Sequence, residues 1–473
     1  MFDTRKKAII VVGLGYGDEG KGTIVDYLVR KRGAKEVVRF SGGHQAGHNV
    51  ISPSGIWHCF VQFGSGTFVP GVRTYLSSQM FIEPEAILAE NKFLINEGVG
   101  DSLDRMVVDL DAAIITPVHK MVCQMSELSR GQKKFGSCGM GVGETVRDKE
   151  KGLAITVRDI GNERVLRDKM EVLGRARFEI AKKLLQNNWT EEMQVTYDYF
   201  LNRWNIDELV RVYADFVTRI TTFDSRKQNR FAGSLDNVVI FEGSQGMLLD
   251  PKYGFPPHIT KTDLTFAAAQ RLLPESKEFK VERLGVLRAF ATRHGTGPFV
   301  TEDSELTSKL SDTYNITNNW QGGFRVGWFD LVASWYAIEA SGGVDSLAIT
   351  NLDRLASLER VKVCTSYEYV GKRLSDLDKY FVCNSFGKNR VRITAIKKSK
   401  ARAGSKRQNQ LTKFLFNCQP LEFVEFGREN GGTGKIDIQS FLGFLESEKG
   451  LAAPISILSL GPRSNDKVSR HSH

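Results

Sequence analysis

Residues 13–23 read G-L-G-Y-G-D-E-G-K-G-T, a glycine-rich turn that carries both an acid, Asp18, and a lysine, Lys21. The apolar run A-I-I-V-V at 8–12 precedes it, and I-V-D-Y-L-V at 24–29 follows with the spacing of an amphipathic helix. Strand, glycine turn and helix together make a phosphate site. Glycines let backbone N–H groups approach phosphate oxygens, the helix N-terminus adds partial positive charge, and a lysine neutralises the rest. The pattern G-x-x-x-x-G-K runs from Gly15 to Lys21, but Gly22 stands where an ordinary phosphate loop has its magnesium-binding hydroxyl. Asp18 is the candidate to hold the metal instead, because a carboxylate in an anion-binding loop repels phosphate unless it faces a cation or a proton to be abstracted. The competing reading is a solvated turn whose acid and lysine do nothing.

Other strand-then-glycine units follow. Val37-Val38-Arg39-Phe40 runs into S-G-G-H-Q-A-G-H-N, which puts His44 and His48 on a turn at a strand end. On such a loop the helical register that makes H-x-x-x-H a chelate is absent, so a proton-donating or hydrogen-bonding role is expected rather than zinc. Val238 to Phe241 is apolar throughout, as a buried parallel strand should be, and leads into E-G-S-Q-G-M-L-L-D. Leu284 to Phe290 runs into A-T-R-H-G-T-G-P, Leu347 to Thr350 into N-L-D, and Ile455 to Leu460 into G-P-R. In an open parallel sheet ligands lie beyond the carboxyl ends of the strands, so these turns are expected to share a cleft large enough for two nucleotides.

Composition sets the frame. With 41% hydrophobic and 25% charged residues, the 473-residue chain has the make-up of a folded enzyme rather than a disordered one. No Pro-rich, Ser-rich or repeated stretch divides it, which argues for one large α/β unit over residues 1–473 with insertions at 178–229 (helical) and 396–413 (a basic loop). The six cysteines are far apart and include no C-x-x-C pair, a pattern that suits a reducing compartment and argues against a zinc cluster. The apolar part of the N-terminus is too short for a signal peptide and no run of 18 apolar residues occurs, so a cytoplasmic protein with no membrane partner is expected. The net charge of +10 suits an anionic substrate. Much of that excess lies at 396–413, read as a solvated loop, with a surface for RNA, anionic lipid or a partner as the alternative. The stretch lacks the aromatic residues that base stacking needs, so nucleic acid is not the expected partner.

Taken together, Y-G-D-E-G-K-G, G-G-H-Q-A-G-H, F-E-G-S-Q-G-M-L-L-D, T-R-H-G-T-G-P-F, V-G-W-F-D, T-N-L-D and S-L-G-P, in this order from Val11 to about Arg463, resemble the adenylosuccinate synthetases. The resemblance implies a phosphate-loop-related α/β fold with a large, mostly parallel central sheet, helices on both faces and inserted subdomains. It implies a GTP- and Mg2+-dependent ligase, usually a cytosolic homodimer, that joins aspartate to carbon 6 of inosine monophosphate. An oxygen at that carbon leaves poorly, so it is first phosphorylated and then displaced by an amine. A carboxylate can make the oxygen nucleophilic by taking the proton from the adjacent ring nitrogen.

By the same resemblance Asp18 is that base and a magnesium ligand, with the backbone carbonyl of Gly47 as a second ligand. His48 assists at the carbon 6 oxygen as phosphoryl charge builds. Gly17, Glu19, Gly20, Lys21, Gly22 and Thr23 hold the triphosphate, while Asn351, Asp353, Ser459 and Gly461 line the pocket for its base. Gln45, Ala46, Ser137, Cys138, Gln245 and Thr260 contact the purine nucleotide, and Gln245 also orients Asp18. Gln245 and Thr260 have a plainer reading as cap or turn residues, and Asp353 as a helix cap.

Departures from the family pattern carry equal weight. Closely spaced arginines that clamp the aspartate carboxylates precede G-W-L-D in the family; here Gly322, Gly323 and Phe324 stand there and only Arg325 remains. His294 replaces a small apolar residue near the amino-acid site, as a new acid or base or as a structural histidine. Ser137-Cys138 replaces a threonine pair, the arginine that reaches across the dimer has no clear counterpart, and Asn351 replaces the lysine whose stem lies against guanine, which opens ATP as an alternative to GTP. Four readings follow: an adenylosuccinate-forming ligase, the same activation chemistry with another amine or oxopurine nucleotide, a nucleotide-binding homologue without turnover, and an NTPase associated with nucleic acid.

Overall fold

The computed structural model describes residues 6–131, 134–231, 237–275, 278–310, 320, 322–372, 376–386, 390–399, 405–428 and 434–470. It is a mixed α/β structure with a ten-stranded, mostly parallel central sheet. The chain divides into two compact units, one formed by Met1–Ile9, Leu28–Ser244 and Ala268–Val281, the other by Ile10–Tyr27, Gln245–Ala267 and Glu282–His473.

In the first unit the strands Val238–Gly246, Glu36–Arg39, Arg73–Leu76, Met106–Asp109 and Thr221–Phe223 pair in that order, each parallel to the next. In the two central strands Val37, Val38, Val239, Ile240 and Phe241 have no exposed surface, the pattern of strands covered on both faces. The helices Glu163–Asn187, Glu191–Arg203 and Ile206–Thr218 each begin at an Asn or Thr whose side chain accepts a backbone N–H. Helical structure starts well before residue 178. Beneath it Arg177 donates to both Glu144 and Asp148, and Asp148 also meets the buried His119. Buried charges are tolerated only when paired in this way.

In the second unit the strands Phe279–Arg288, Ser346–Thr350 and Ile455–Ser459 are parallel, and Lys467–Ser469 closes the edge in the antiparallel sense. The helix Leu331–Ser341 is buried almost all round and is capped by Asp330, whose carboxylate accepts the Ala333 N–H at 2.9 Å. A smaller sheet is built on Val361–Tyr369, paired antiparallel with Val391–Ile396 and Cys418–Phe426.

The basic stretch at 396–413 differs from expectation. Residues 400–404 lie outside the described part, but Lys406–Leu415 is a helix capped by Ser405, not a loop. Gln408, Leu411, Thr412, Phe414 and Leu415 are buried at helical spacing, and Gln408 donates to the carbonyls of Tyr253 and Gly254. Lysine and arginine fill the outer face and mask that period, because the apolar residues that complete it lie at or beyond the end of the charged run. His294, read as a turn residue, is the last residue of the strand Ala291–His294. That strand pairs antiparallel with Phe324–Gly327, so His294 stands opposite Phe324.

Candidate active site

The glycine turn forms as its sequence dictates. Lys6–Gly13 is a strand, Lys21–Arg32 a helix, and between them Gly17, Asp18 and Gly20 all have positive φ, at 94°, 62° and 83°. Glycine takes that conformation at no cost; an aspartate there is uncommon and points to a use for its side chain. The loop is braced from within. Glu19, 2% exposed, accepts the N–H groups of Gly15 and Gly17 at 2.9 and 2.8 Å and the ammonium of Lys21 at 2.7 Å. Thr350 Oγ1 donates to the Glu19 carbonyl at 2.7 Å, which ties the loop to the end of a neighbouring strand. Gly246 leaves no room for a side chain, since a Cβ there would lie 2.2 Å from the Gly15 carbonyl and 2.4 Å from the Gly17 nitrogen.

Asp18 is partly open, with 28% of its side chain exposed. Its carboxylate meets His294 Nδ1 at 3.0 Å, and its carbonyl accepts from Arg288 Nε. Burial works against the ionised form, yet the His294 hydrogen bond and charge, then Arg288 and Lys21, hold this carboxyl below the usual carboxylate range. In the same unit Gln245 is half-buried, and neither its amide oxygen nor its amide nitrogen has a partner. A buried amide left with all its valences unmet is costly, and an incoming polar edge is the natural way to meet them.

His48 belongs to the other unit and begins the short strand His48–Ile51. Its Nδ1 contacts the carboxylate of Glu242 and its Nε2 lies 3.1 Å from the Ser244 carbonyl, so both ring nitrogens face acceptors, an arrangement that the imidazolium satisfies in full. Glu242 has no exposed surface; it also accepts the Ser65 N–H at 3.0 Å and the Ser65 hydroxyl. Burial opposes its charge, but His48, Arg39 and Ser65 overcome that and bring its pKa down to about 2. Arg39, fully buried, donates one N–H to the Phe63 carbonyl at 2.9 Å, while its Nε and Nη2 have no partner. Sequence reasoning passed over Glu242, Arg39 and Ser65. The signal for the first two was an acid and an arginine embedded in otherwise apolar strands.

The remaining expected residues fall as follows. Thr23 does not turn its hydroxyl to a phosphate here; it donates to the Pro462 carbonyl at 2.7 Å. Asn351 has φ 59° and starts the short helix Leu352–Ser357, in whose first turn Asp353 is exposed, and Ser459 Oγ bonds the Gly461 carbonyl at 3.1 Å. Lys467, which the sequence did not single out, also clamps that turn through the carbonyls of Gly461 and Arg463, at 2.6 and 2.8 Å. In the first unit Gln45 Oε1 is buried without a partner, and Ala46 is buried. Gly47 packs so closely that a Cβ would lie 2.6 Å from the Cys59 sulfur. Ser137 contacts Cys123, and burial pushes the Cys138 thiol up to about 12. Thr260 is 3.4 Å from the hydroxyl of Thr262. Gly323 accepts the Gly295 N–H at 3.0 Å, Gly322 has φ 90°, and Arg325 donates to Glu302.

The family model described as adenylosuccinate synthetase matches residues 10–394. The chain belongs to the adenylosuccinate synthetase family. Adenylosuccinate synthetase of Mycobacterium marinum is 33% identical over 376 residues, 78% of this chain and 82% of that protein. The Clostridium botulinum adenylosuccinate synthetase is 32% identical over 371 residues, 77% and 82% of the two chains. Among solved structures, the fully ligated adenylosuccinate synthetase of Plasmodium falciparum superposes with a TM-score of 0.72 at 20% identity, covering 99% of this chain and all of that one. A cyanophage S-2L succinoaminodeoxyadenylate synthetase, bound to dGMP and to dATP as energy donor, superposes with a TM-score of 0.55 at 14% identity, over 98% and 95% of the two chains. These two likenesses bear on the fold. The adenylosuccinate synthetases are carbon–nitrogen ligases, and this chain is an enzyme of that class.

Proposed function

We propose that the protein phosphorylates the 6-oxo group of a purine nucleotide from a nucleoside triphosphate and lets an amine displace the phosphate. The ring nitrogen next to the carbonyl gives its proton to Asp18, the oxygen attacks the γ-phosphorus, and the diphosphate leaves; the amine then adds at carbon 6 and inorganic phosphate departs. The observation that carries this reading is an ionised carboxylate at positive φ within a glycine phosphate loop, in the same unit as a Gln245 whose amide has no partner. A base must be ionised to accept a proton, and this one is held so by its neighbours. The names of the relatives support adenylosuccinate chemistry, with inosine monophosphate and GTP as the starting pair.

The family is magnesium-dependent, and the Asp18 carboxylate would hold the ion. An ionised, partly open carboxylate suits a hard cation, which would offset triphosphate charge when bound. His48, held by Glu242 at Nδ1, would exchange the Ser244 carbonyl at Nε2 for the purine oxygen when it donates there. A cytoplasmic homodimer is the assembly this reading carries with it.

Replacement of the base-pocket lysine by Asn351 favours a second arm, in which ATP serves as donor. The phage synthetase of similar fold was solved with an adenine nucleotide as donor. The test supplies magnesium, inosine monophosphate or deoxyguanosine monophosphate, and GTP or ATP, with aspartate and a set of other amines, and follows phosphate release. Release that needs triphosphate, purine nucleotide and amine together bears the reading out; release indifferent to the purine nucleotide, or none under any combination, refutes it.

A further inference from the structure

A triphosphate seated in the glycine loop puts its base within reach of two turns of the same unit. The strands Ser346–Thr350 and Ile455–Ser459 are parallel with Ile349 beside Leu458, so the turn after Ser459 stands next to Asn351–Asp353, at the carboxyl ends of both. Each turn is tied to the phosphate loop or the helix behind it. Thr350 Oγ1 donates to the Glu19 carbonyl, and Thr23 Oγ1, two residues past Lys21, donates to the Pro462 carbonyl, both at 2.7 Å.

The turn after Ser459 has spent its acceptors. Lys467 Nζ donates to the carbonyls of Gly461 and Arg463 at 2.6 and 2.8 Å. The Ser459 hydroxyl adds a second bond to Gly461 at 3.1 Å, and the Asp466 N–H a second to Arg463 at 3.1 Å. In return Asp466 accepts the N–H groups of Leu460 and Arg463, at 2.9 and 2.7 Å. Lys467 is 7% exposed, so water screens its charge little. Burial brings its pKa down to about 8, while Asp466, Asp26 of the helix Lys21–Arg32 and Asp353 of the short helix Leu352–Ser357 favour the ammonium, which is therefore charged at neutral pH.

Guanine and adenine differ at carbon 6, where the first carries an oxygen that accepts and the second an amino group that donates. Carbonyls already bonded to an ammonium are poor acceptors for that amino group, and the positive charge behind them attracts an oxygen and opposes an N–H dipole. We propose that Lys467 sets the base preference of the donor site, selecting a 6-oxopurine triphosphate over a 6-aminopurine one. The inference rests on the reading above for the triphosphate at the loop, and it decides between the two donors, GTP and ATP. Lys467 supplies the cation that Asn351, short and uncharged, does not bring to this pocket.

The experiment uses the full-length protein with magnesium and measures, by calorimetry, binding of the β,γ-imido analogues of GTP and ATP, so no turnover is needed. The guanosine analogue should bind about tenfold or more tighter, the worth of one hydrogen bond or more. Lys467→Met keeps the stem and removes the charge; it should reduce that ratio to about threefold or less and leave the Kd of inosine monophosphate within about twofold. Lys467→Arg keeps a cation with N–H donors and should retain the preference, a rescue that separates the charge from mere packing. An adenosine analogue that binds the unaltered protein as tightly as the guanosine one, a Met variant with the original ratio, or an Arg variant that loses the ratio as fully as the Met variant overturns the proposal. Binding of neither analogue overturns it together with the reading above. Selective binding with no phosphate release under any combination of substrates sinks the ligase reading and leaves the role of Lys467 standing.

Discussion

Glu242→Gln puts the buried imidazole partner under direct test. Glu242 has no exposed surface and is held by His48, Arg39 and Ser65, so solvent screening does not dilute the interaction. Its pKa falls from 4.5 in the unfolded chain to about 2 in the folded one. At 1.36 kcal/mol per unit, that difference is worth about 3 kcal/mol of folding stability at neutral pH. The sign follows from the depression: the unfolded chain takes up the proton first, so the contribution is complete above pH 4.5 and is lost as pH falls toward 2. At pH 3.5 it has dropped to about 2 kcal/mol. The amide keeps the shape and one acceptor oxygen, but its NH2 group cannot accept the second Ser65 hydrogen bond and Arg39 loses its nearby anion, so a loss of about 3 kcal/mol is expected at pH 7, in the range for breaking a buried pair. Urea melts of both proteins at pH 7 and pH 3.5, followed by tryptophan fluorescence and far-UV circular dichroism, measure it. A deficit under about 1 kcal/mol at pH 7, or one that grows as the pH is lowered, would refute the account of Glu242 as the charge that holds His48.

Other consequences are equally direct. Asp18→Asn should abolish phosphate release and leave the melting midpoint within about 2 °C, since a partly exposed loop acid contributes little packing; retained turnover would remove Asp18 from the chemistry. Gly246→Ala should abolish triphosphate binding by calorimetry, because the added Cβ meets the backbone of Gly15 and Gly17 at 2.2 and 2.4 Å and the loop itself must move. Asp330 has its pKa pushed up to about 6 by burial, so its stability contribution declines as pH rises from about 4 to 6. Asp330→Asn should therefore stabilise the protein by about 1–2 kcal/mol at pH 7 and by less at pH 5, with the Ala333 cap and the Tyr367 hydrogen bond retained.

The parts of this protein that were legible in its sequence are those governed by local rules. The strand, glycine turn and helix at 6–32 could be read because backbone conformation there is set by glycines and by unbroken apolar runs, and the strand ends at Arg39, Arg288, Thr350 and Ser459 fall within two residues of where the same punctuation put them, whereas the strand from Val238 runs on through E-G-S-Q-G to Gly246, past its expected end at Phe241. What stayed hidden was pairing across sequence distance. Glu242 and His48 are 194 residues apart and Asp18 and His294 are 276 apart, and no periodicity records either contact. The two pairs differ in kind. Glu242 is buried and fully engaged, so His48 is held by groups already in place and its orientation is independent of substrate. His294 is held by Asp18 through one ring nitrogen, while its other ring nitrogen is buried without a partner.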